Sequence, residues 1–149
     1  MFTTVEKVIF LQNVEAFAAV STEHLAYIAA IAAEVSYLKN ETVYQLGQPS
    51  DALYLVLEGK IRLHRGEEEI ATAGPREAFG TWALFDDEPR LTTATAMDDS
   101  RLLRVDREEF LELLSDHTEV NQAVLKHIAG RMRSLVERVG PGPAARRER

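Results

Sequence analysis

The chain has 149 residues and a mass of 16.7 kDa, which allows one domain with a real core and leaves no room for a second large one. A composition of 46% hydrophobic and 28% charged residues excludes disordered, collagen-like and low-complexity chains. Seventeen Lys and Arg against 24 Asp and Glu give a net charge of -7, a field that repels nucleic acid, and the lack of cysteine excludes disulfide scaffolds, thiolate zinc sites and cysteine nucleophiles.

At the N-terminus, Glu6, Lys7, Gln12 and Glu15 interrupt the apolar run that a secretory leader needs. The longest weakly polar stretch, Leu25 to Ala33, falls well short of the roughly 20 apolar residues of a membrane span. A cytoplasmic location is therefore expected, either for the chain itself or for the cytoplasmic part of a larger protein.

Val5, Val8, Ile9 and Gln12 predict a short first helix. Ser21, Thr22 and Glu23 then read as an N-cap with an acidic first turn. The second helix follows, with Leu25, Ile28, Ala29, Ala32 and Val35 as its apolar stripe. Residues 1–35 are thus expected to be helical. From Ser36 the period falls to two, predicting strands over Thr42–Leu46, Leu53–Leu57, Lys60–Arg65, Glu69–Ala73, Leu91–Met97 and Arg101–Val105. Turn signals between them indicate an antiparallel roll or barrel over residues 36–105.

Asp106, with Glu109 three residues later, predicts a capped third helix, and Val105 is placed to staple against Phe110. Phe110, Leu113 and Leu114 supply that helix's buried side. Val120, Val124, Ile128, Met132, Leu135 and Val139 mark a longer last helix, completing a helical region over 106–139. Gly140, Pro141, Gly142 and Pro143 end it, and residues 140–149 are expected to form a disordered tail of the single domain. The fold class is therefore mainly β with flanking helices: a double-stranded, jelly-roll-like β-roll between N-terminal helices and a long C-terminal helix.

Two runs carry chemical information: GQPSDALYLVLEGKIRL from Gly47 to Leu63, and AFGTWALFDDEPRLTTATA from Ala78 to Ala96. In this order and at this separation they resemble the cyclic-nucleotide-binding domain of the catabolite activator protein, kinase regulatory subunits and cyclic-nucleotide-gated channels. The resemblance covers roughly residues 8 to 138 and implies a β-roll that holds its ligand in a phosphate-binding cassette, here residues 79–93. The nucleotide-binding positions it implies are Phe79, Gly80, Thr81, Trp82, Ala83, Arg90, Leu91, Thr92 and Thr93. Gly80 permits close backbone approach, a turn beginning near Thr81 aims amides at an anion, and the Arg90 fork suits the oxygens of a cyclic phosphodiester.

Four positions depart from the family pattern, one of them Arg76, which stands where a glycine is common in the turn before the cassette. Thr81 stands where the family has the glutamate that accepts from the ribose 2′-hydroxyl. Exchanging a charged acceptor worth about 1.5 to 3 kcal/mol for a neutral one worth about 1 costs around tenfold in affinity. Trp82 and Leu91 add bulk, where leucine and a small residue are usual. Apart from any ligand, Arg90 follows Asp86, Asp87 and Glu88, so a surface ion pair accounts for it equally well. Phe79 reads as core, Thr93 as a strand residue with some claim to ligand contact, and Gly47, Asp51 and Gly59 as turn residues.

His24, His64, His117 and His127 are scattered, Glu67 to Glu69 read as a solvated hairpin tip, and no catalytic motif is present, so no enzyme, cofactor or metal is expected. The ten residues after Val139 leave no room for a recognition helix, so DNA binding by this chain is not expected. Two readings stand. The first is a regulatory module, part of a larger protein, that senses cyclic AMP, cyclic GMP or a related anion. The second is a ligand-free degenerate domain that serves interaction or assembly. The expected partners are the nucleotide, a second copy through the C-terminal helix, and a covalently or non-covalently attached partner domain. Arg131, Arg133 and Arg138 are expected to be solvated.

Overall fold

A computed structural model describes residues 2–139, apart from the side chains of Trp82 and Val139; the expected tail over 140–149 lies outside the described residues. Helix α1 (Thr4–Leu11) starts from a capping box in which the Thr3 hydroxyl accepts from the Glu6 amide and the Glu6 carboxylate accepts from the Thr3 amide. A single 3₁₀ turn, Glu15–Phe17, leads to α2 (Thr22–Ile31), capped by the Ser21 hydroxyl. Helix α2 ends at Ile31, four residues before Val35. Ala32 and Val35, expected on its stripe, belong instead to strand β1 (Ala32–Tyr37), so the roll begins earlier than the period change at Ser36 suggests.

Seven further strands follow: β2 (Thr42–Tyr44), β3 (Ala52–Glu58), β4 (Ile61–Arg65), β5 (Glu68–Ala73), β6 (Ala78–Phe79), β7 (Thr93–Ala96) and β8 (Ser100–Asp106). They form two antiparallel sheets ordered β1-β8-β3-β6 and β2-β7-β4-β5. Six strands lie where the alternation places them, but β7 starts at Thr93, so Leu91 and Thr92 belong to the irregular segment before it. The two-residue β6 has no period of its own.

Strand β3 explains the architecture. Ala52, Tyr54 and Val56 point into the roll with Ile61, Phe79, Ala94, Ala96 and Leu102, while Leu53, Leu55 and Leu57 face the helices. Burial on both faces is why its sequence reads as an unbroken apolar run. The second core joins those leucines to Leu11, Phe17, Leu25, Ile28, Val105, Phe110, Val120 and Val124, so α1, α2, α3 (Arg107–Asp116) and the start of α4 (Thr118–Val139) close over one sheet. Asp106 caps α3 by accepting from the Glu108 and Glu109 amides, and Val105 and Phe110 are both fully buried. The turn from β3 to β4 requires Gly59, whose φ is +94° and whose added Cβ would lie 2.7 Å from the Asp99 carbonyl oxygen.

Glu34 on β1 ties the N-terminal segment to the roll. Its carboxylate accepts from the Phe2 amide at 2.8 Å and from Arg101 Nη2 at 2.7 Å. The Phe2 bond, aided by Arg101 and opposed by burial, holds its pKa below the ordinary 4.5. A carboxyl depressed by folding contributes stability above its unfolded pKa and loses it as pH falls through the folded value. Wild type is therefore expected to lose, as pH falls below about 4.5, a stabilisation that Glu34→Gln lacks throughout, checked by thermal melts of both proteins from neutral to acid pH.

Candidate functional site

The cassette leaves the roll at β6 and returns at β7. Between them a 3₁₀ turn, Thr81–Leu84, is followed by irregular chain up to Arg90. One turn of four residues has little helix dipole, so charge recognition at this site falls to Arg90. Gln45–Ser50 brackets that residue: the Gly47 amide donates to Arg90 O at 2.9 Å, and the Arg90 amide donates to Gln48 O at 2.8 Å. The Ser50 hydroxyl donates to Glu88 O at 2.6 Å.

The guanidinium these bonds position is 5% exposed. Its Nη2 donates to Ala52 O at 2.8 Å and to Asp51 Oδ1 at 3.3 Å, and its carbon lies 3.9 Å from the centroid of the Tyr44 ring. The ion pair expected with Asp86, Asp87 or Glu88 is not the one formed. Asp86 and Glu88 stand on the wall of the neighbouring cavity without pairing with Arg90, while roll closure brings Asp51, just before β3, to the guanidinium. Nε is buried without a partner among the described residues. Nη1 lies against Gly80: a Cβ there would stand 2.7 Å from it, and the φ of +70° suits glycine. Nη2 is thus held by the protein, while Nε has no partner among the described residues.

A cavity of about 730 Å³ opens here, lined among others by Tyr44, Leu63, Thr81, Ala83, Arg90 and Thr92. That volume suits a small-molecule site. Of the expected positions, Gly80, Thr81, Ala83, Arg90, Leu91 and Thr92 line it. Phe79 faces the roll core between Tyr44 and Tyr54, as its reading as core requires. The Thr93 hydroxyl accepts from the Leu46 amide at 3.0 Å, a strand-joining bond, and the residue is absent from the described cavity wall. The Trp82 side chain lies outside the described residues. Leu91 is 65% exposed, so its bulk stands at the mouth and does not fill the cavity.

Tyr44, Leu63 and Asp51 are site residues that the sequence does not single out. Asp51, read as a turn residue, bridges two arginines: its Oδ2 also lies 3.3 Å from Arg104 Nη2. Arg104 Nη1 donates to the Tyr54 hydroxyl at 3.0 Å, across the β3–β8 pair. Burial pushes the Tyr54 hydroxyl up to about 12, and burial also raises Tyr44 despite the opposing charge of Arg90. Both phenols therefore stay neutral beside the guanidiniums, as hydrogen-bonding and stacking groups.

The remaining titratable groups do not assemble a second chemistry. His64 is held by Gly66 O and Thr95 Oγ1, each at 2.8 Å, and the described residues contain no cluster of three or more His, Asp or Glu able to hold a metal. Among the described residues no helix is long and apolar enough to cross a membrane.

Helix α4 is core only at its start. Val120 and Val124 are buried and Ile128 partly so, whereas Met132 and Leu135 are 63% and 50% exposed, and the side chain of Val139 lies outside the described residues. Core packing of the stripe expected there is therefore confined to the first turns, and its later apolar residues are exposed. Arg131, expected to be solvated, bonds Glu15 through Nε at 2.7 Å.

The β-roll closed by helices thus carries a glycine-led cassette whose buried arginine lines a cavity. The family model of the cyclic nucleotide-binding domain matches residues 34–117, and the chain belongs to that family. It is 32% identical over 104 residues to the CRP-like cAMP-activated global transcriptional regulator of Mycobacterium tuberculosis, a match covering 66% of this chain and 46% of that protein. The match thus spans less than half the length of that regulator. Among solved structures, the N-terminal domain of a transcriptional regulator from Streptomyces coelicolor is similar at a TM-score of 0.81 and 34% identity, covering 86% of this chain and 95% of that one. The Thermus thermophilus catabolite activator protein is similar at a TM-score of 0.65 and 28% identity, covering 81% of this chain and 59% of that one.

Proposed function

We propose that the chain is a regulatory module that binds a cyclic nucleotide, cyclic AMP or cyclic GMP, or a related phosphodiester anion, at the cavity, and passes occupancy to an attached or docked partner domain. The observation that carries this reading is the Arg90 guanidinium: buried, stacked on Tyr44, with Nη1 beside Gly80 and Nε without a partner among the described residues. Among the expected contact residues, Gly80, Thr81, Ala83, Arg90, Leu91 and Thr92 would surround the ligand from the cavity wall. Thr81 offers a neutral hydroxyl to the sugar where an acidic acceptor is usual, so affinity is expected to be modest. The role is binding and switching, with no catalysed step.

One observation favours the second reading, a degenerate interaction module. Nη2 is already engaged by Ala52 O and Asp51, which satisfies part of the cation without any ligand. Titration of cyclic AMP and cyclic GMP, followed by heat and by the single tryptophan, decides between them. Saturable binding supports the sensor; no binding of either nucleotide at millimolar concentration supports the ligand-free module.

The net charge of -7 argues that nucleic acid is not a direct partner of these residues, and a cysteine-free chain suits the cytoplasm. The domain is read as one regulatory unit in which residues 32–106 form the roll and α1 to α4 its helical cover.

A second copy is the proposed partner of α4. Leu125, Ala129, Met132 and Val136 are exposed and spaced by four, three and four residues, the pattern of a two-helix seam. Leu125→Glu together with Val136→Glu is expected to convert a dimer to monomer in sedimentation velocity, with at least a hundredfold weaker self-association. An unchanged sedimentation coefficient would remove the seam from the reading.

A further inference from the structure

We propose that Arg65 is a second ligand-recognition residue of the cavity, meeting the negative charge of a phosphodiester at its mouth; this rests on the reading of the site as an anion-binding one. Strand β4 alternates so that Ile61 lies in the roll core and Leu63 lines the cavity. Arg65, two residues on, continues that face. The β4–β7 register pairs Leu63 with Ala94 and His64 with Thr93, which brings Arg65 beside Thr92, itself on the cavity wall. Arg65 Nε donates to Leu91 O at 3.0 Å, so the side chain is tethered to the cassette immediately after Arg90.

Among the described residues the two terminal amino groups of Arg65 have no hydrogen-bond partner. Although Arg65 is paired in register with Glu68, and Glu67 and Glu69 flank that residue, Arg65 forms no ion pair among the described residues. A side chain that passes over nearby glutamates to reach a carbonyl of the cassette is placed for something other than hairpin stability.

Charge supplies the reason. Arg90 is the one cation among the described residues lining the cavity, against Asp86 and Glu88, so the wall itself is net negative and opposes an incoming anion. Arg65 makes the mouth neutral. A cation at a rim acts chiefly on association rate and on salt dependence, because exposed charges are screened within about 10 Å at 0.1 M salt.

The test is stopped-flow association and equilibrium titration of cyclic AMP against the whole chain and four variants: Arg65→Gln, Arg65→Lys, Arg62→Gln and Arg90→Ala, at low and at high salt. Arg62 is one residue off the cavity-facing period and serves as the charge-matched control. Arg65→Gln is expected to weaken binding about tenfold at low salt, mostly through association, with the deficit shrinking at high salt. Arg65→Lys restores binding and Arg62→Gln leaves it unchanged. The proposal is overturned if Arg65→Gln binds as wild type does, or if Arg65→Lys fails as badly as Arg65→Gln, which would reduce Arg65 to its tether on Leu91. Binding lost in Arg90→Ala but untouched in Arg65→Gln sinks this inference and leaves the sensor reading standing, whereas no binding by wild type overturns both.

Discussion

Arg90→Ala is expected to lower affinity for a cyclic nucleotide at least a hundredfold while costing the empty protein only about 1 to 2 kcal/mol. The two effects separate because of where the partners lie. On the sensor reading, Nη1 beside Gly80 and the unpartnered Nε would supply two charge-assisted donors worth about 1.5 to 3 kcal/mol each, and alanine removes both. Toward the protein it contributes one bond to Ala52 O, a stacking contact on Tyr44 and the pair with Asp51. Asp51 is 61% exposed, so it returns to water when its partner goes instead of remaining as a buried uncompensated charge. A loss of this size corresponds to a fall of several degrees in Tm for a chain of this length. Calorimetric titration with a parallel thermal melt measures both. Equal, severe losses of stability and binding would mean that Arg90 is chiefly a structural residue.

The cassette was legible because it is contiguous: Gly80 and Arg90 lie ten residues apart in one irregular segment and face the same cavity. What the sequence hid are the groups that other strands bring to it. Tyr44 arrives from β2 and Asp51 from the head of β3, and nothing in their local pattern marks them as neighbours of Arg90. Nearness in sequence is a poor guide at Asp86 to Glu88, because Asp86 and Glu88 reach the cavity wall without pairing with Arg90 while roll closure supplies Asp51 as its carboxylate.

The fold shows the same division. Strand β3 could be read directly, since burial on both faces leaves an apolar run. The boundary between α2 and β1 could not, because Ala32, Ala33 and Val35 satisfy a helical stripe as well as a strand, and only pairing with β8 ends the helix at Ile31. In α4 an evenly spaced apolar pattern concealed a change of environment: the first turns reach the helical core and the later ones extend past it.

Asp51→Ala is expected to act in the opposite direction to Arg90→Ala on binding, and this contrast separates a working sensor from a closed one. Asp51 bridges a nearly inaccessible guanidinium, Arg90, and a partly exposed one, Arg104. Its removal leaves Arg90 buried with Ala52 O and the Tyr44 ring as its remaining partners. A buried ion pair broken by loss of one member costs about 3 to 5 kcal/mol. Because Asp51 is largely solvated the pair is already screened, and about 2 kcal/mol is the expected cost to the empty protein. Binding should improve about tenfold, since a phosphodiester entering at the Nη1 side then meets a guanidinium whose charge no carboxylate already offsets, while Nη2 keeps its bond to Ala52 O. The variant should therefore melt below wild type when empty and gain more in Tm than wild type on saturation with cyclic AMP, because a tighter ligand stabilises the folded state further. Asp51→Asn, which keeps an acceptor and loses the charge, should fall between the two. Weaker binding by Asp51→Ala would instead show that Asp51 holds Arg90 in its receiving pose, and that the affinity of the site depends on preorganisation more than on free charge.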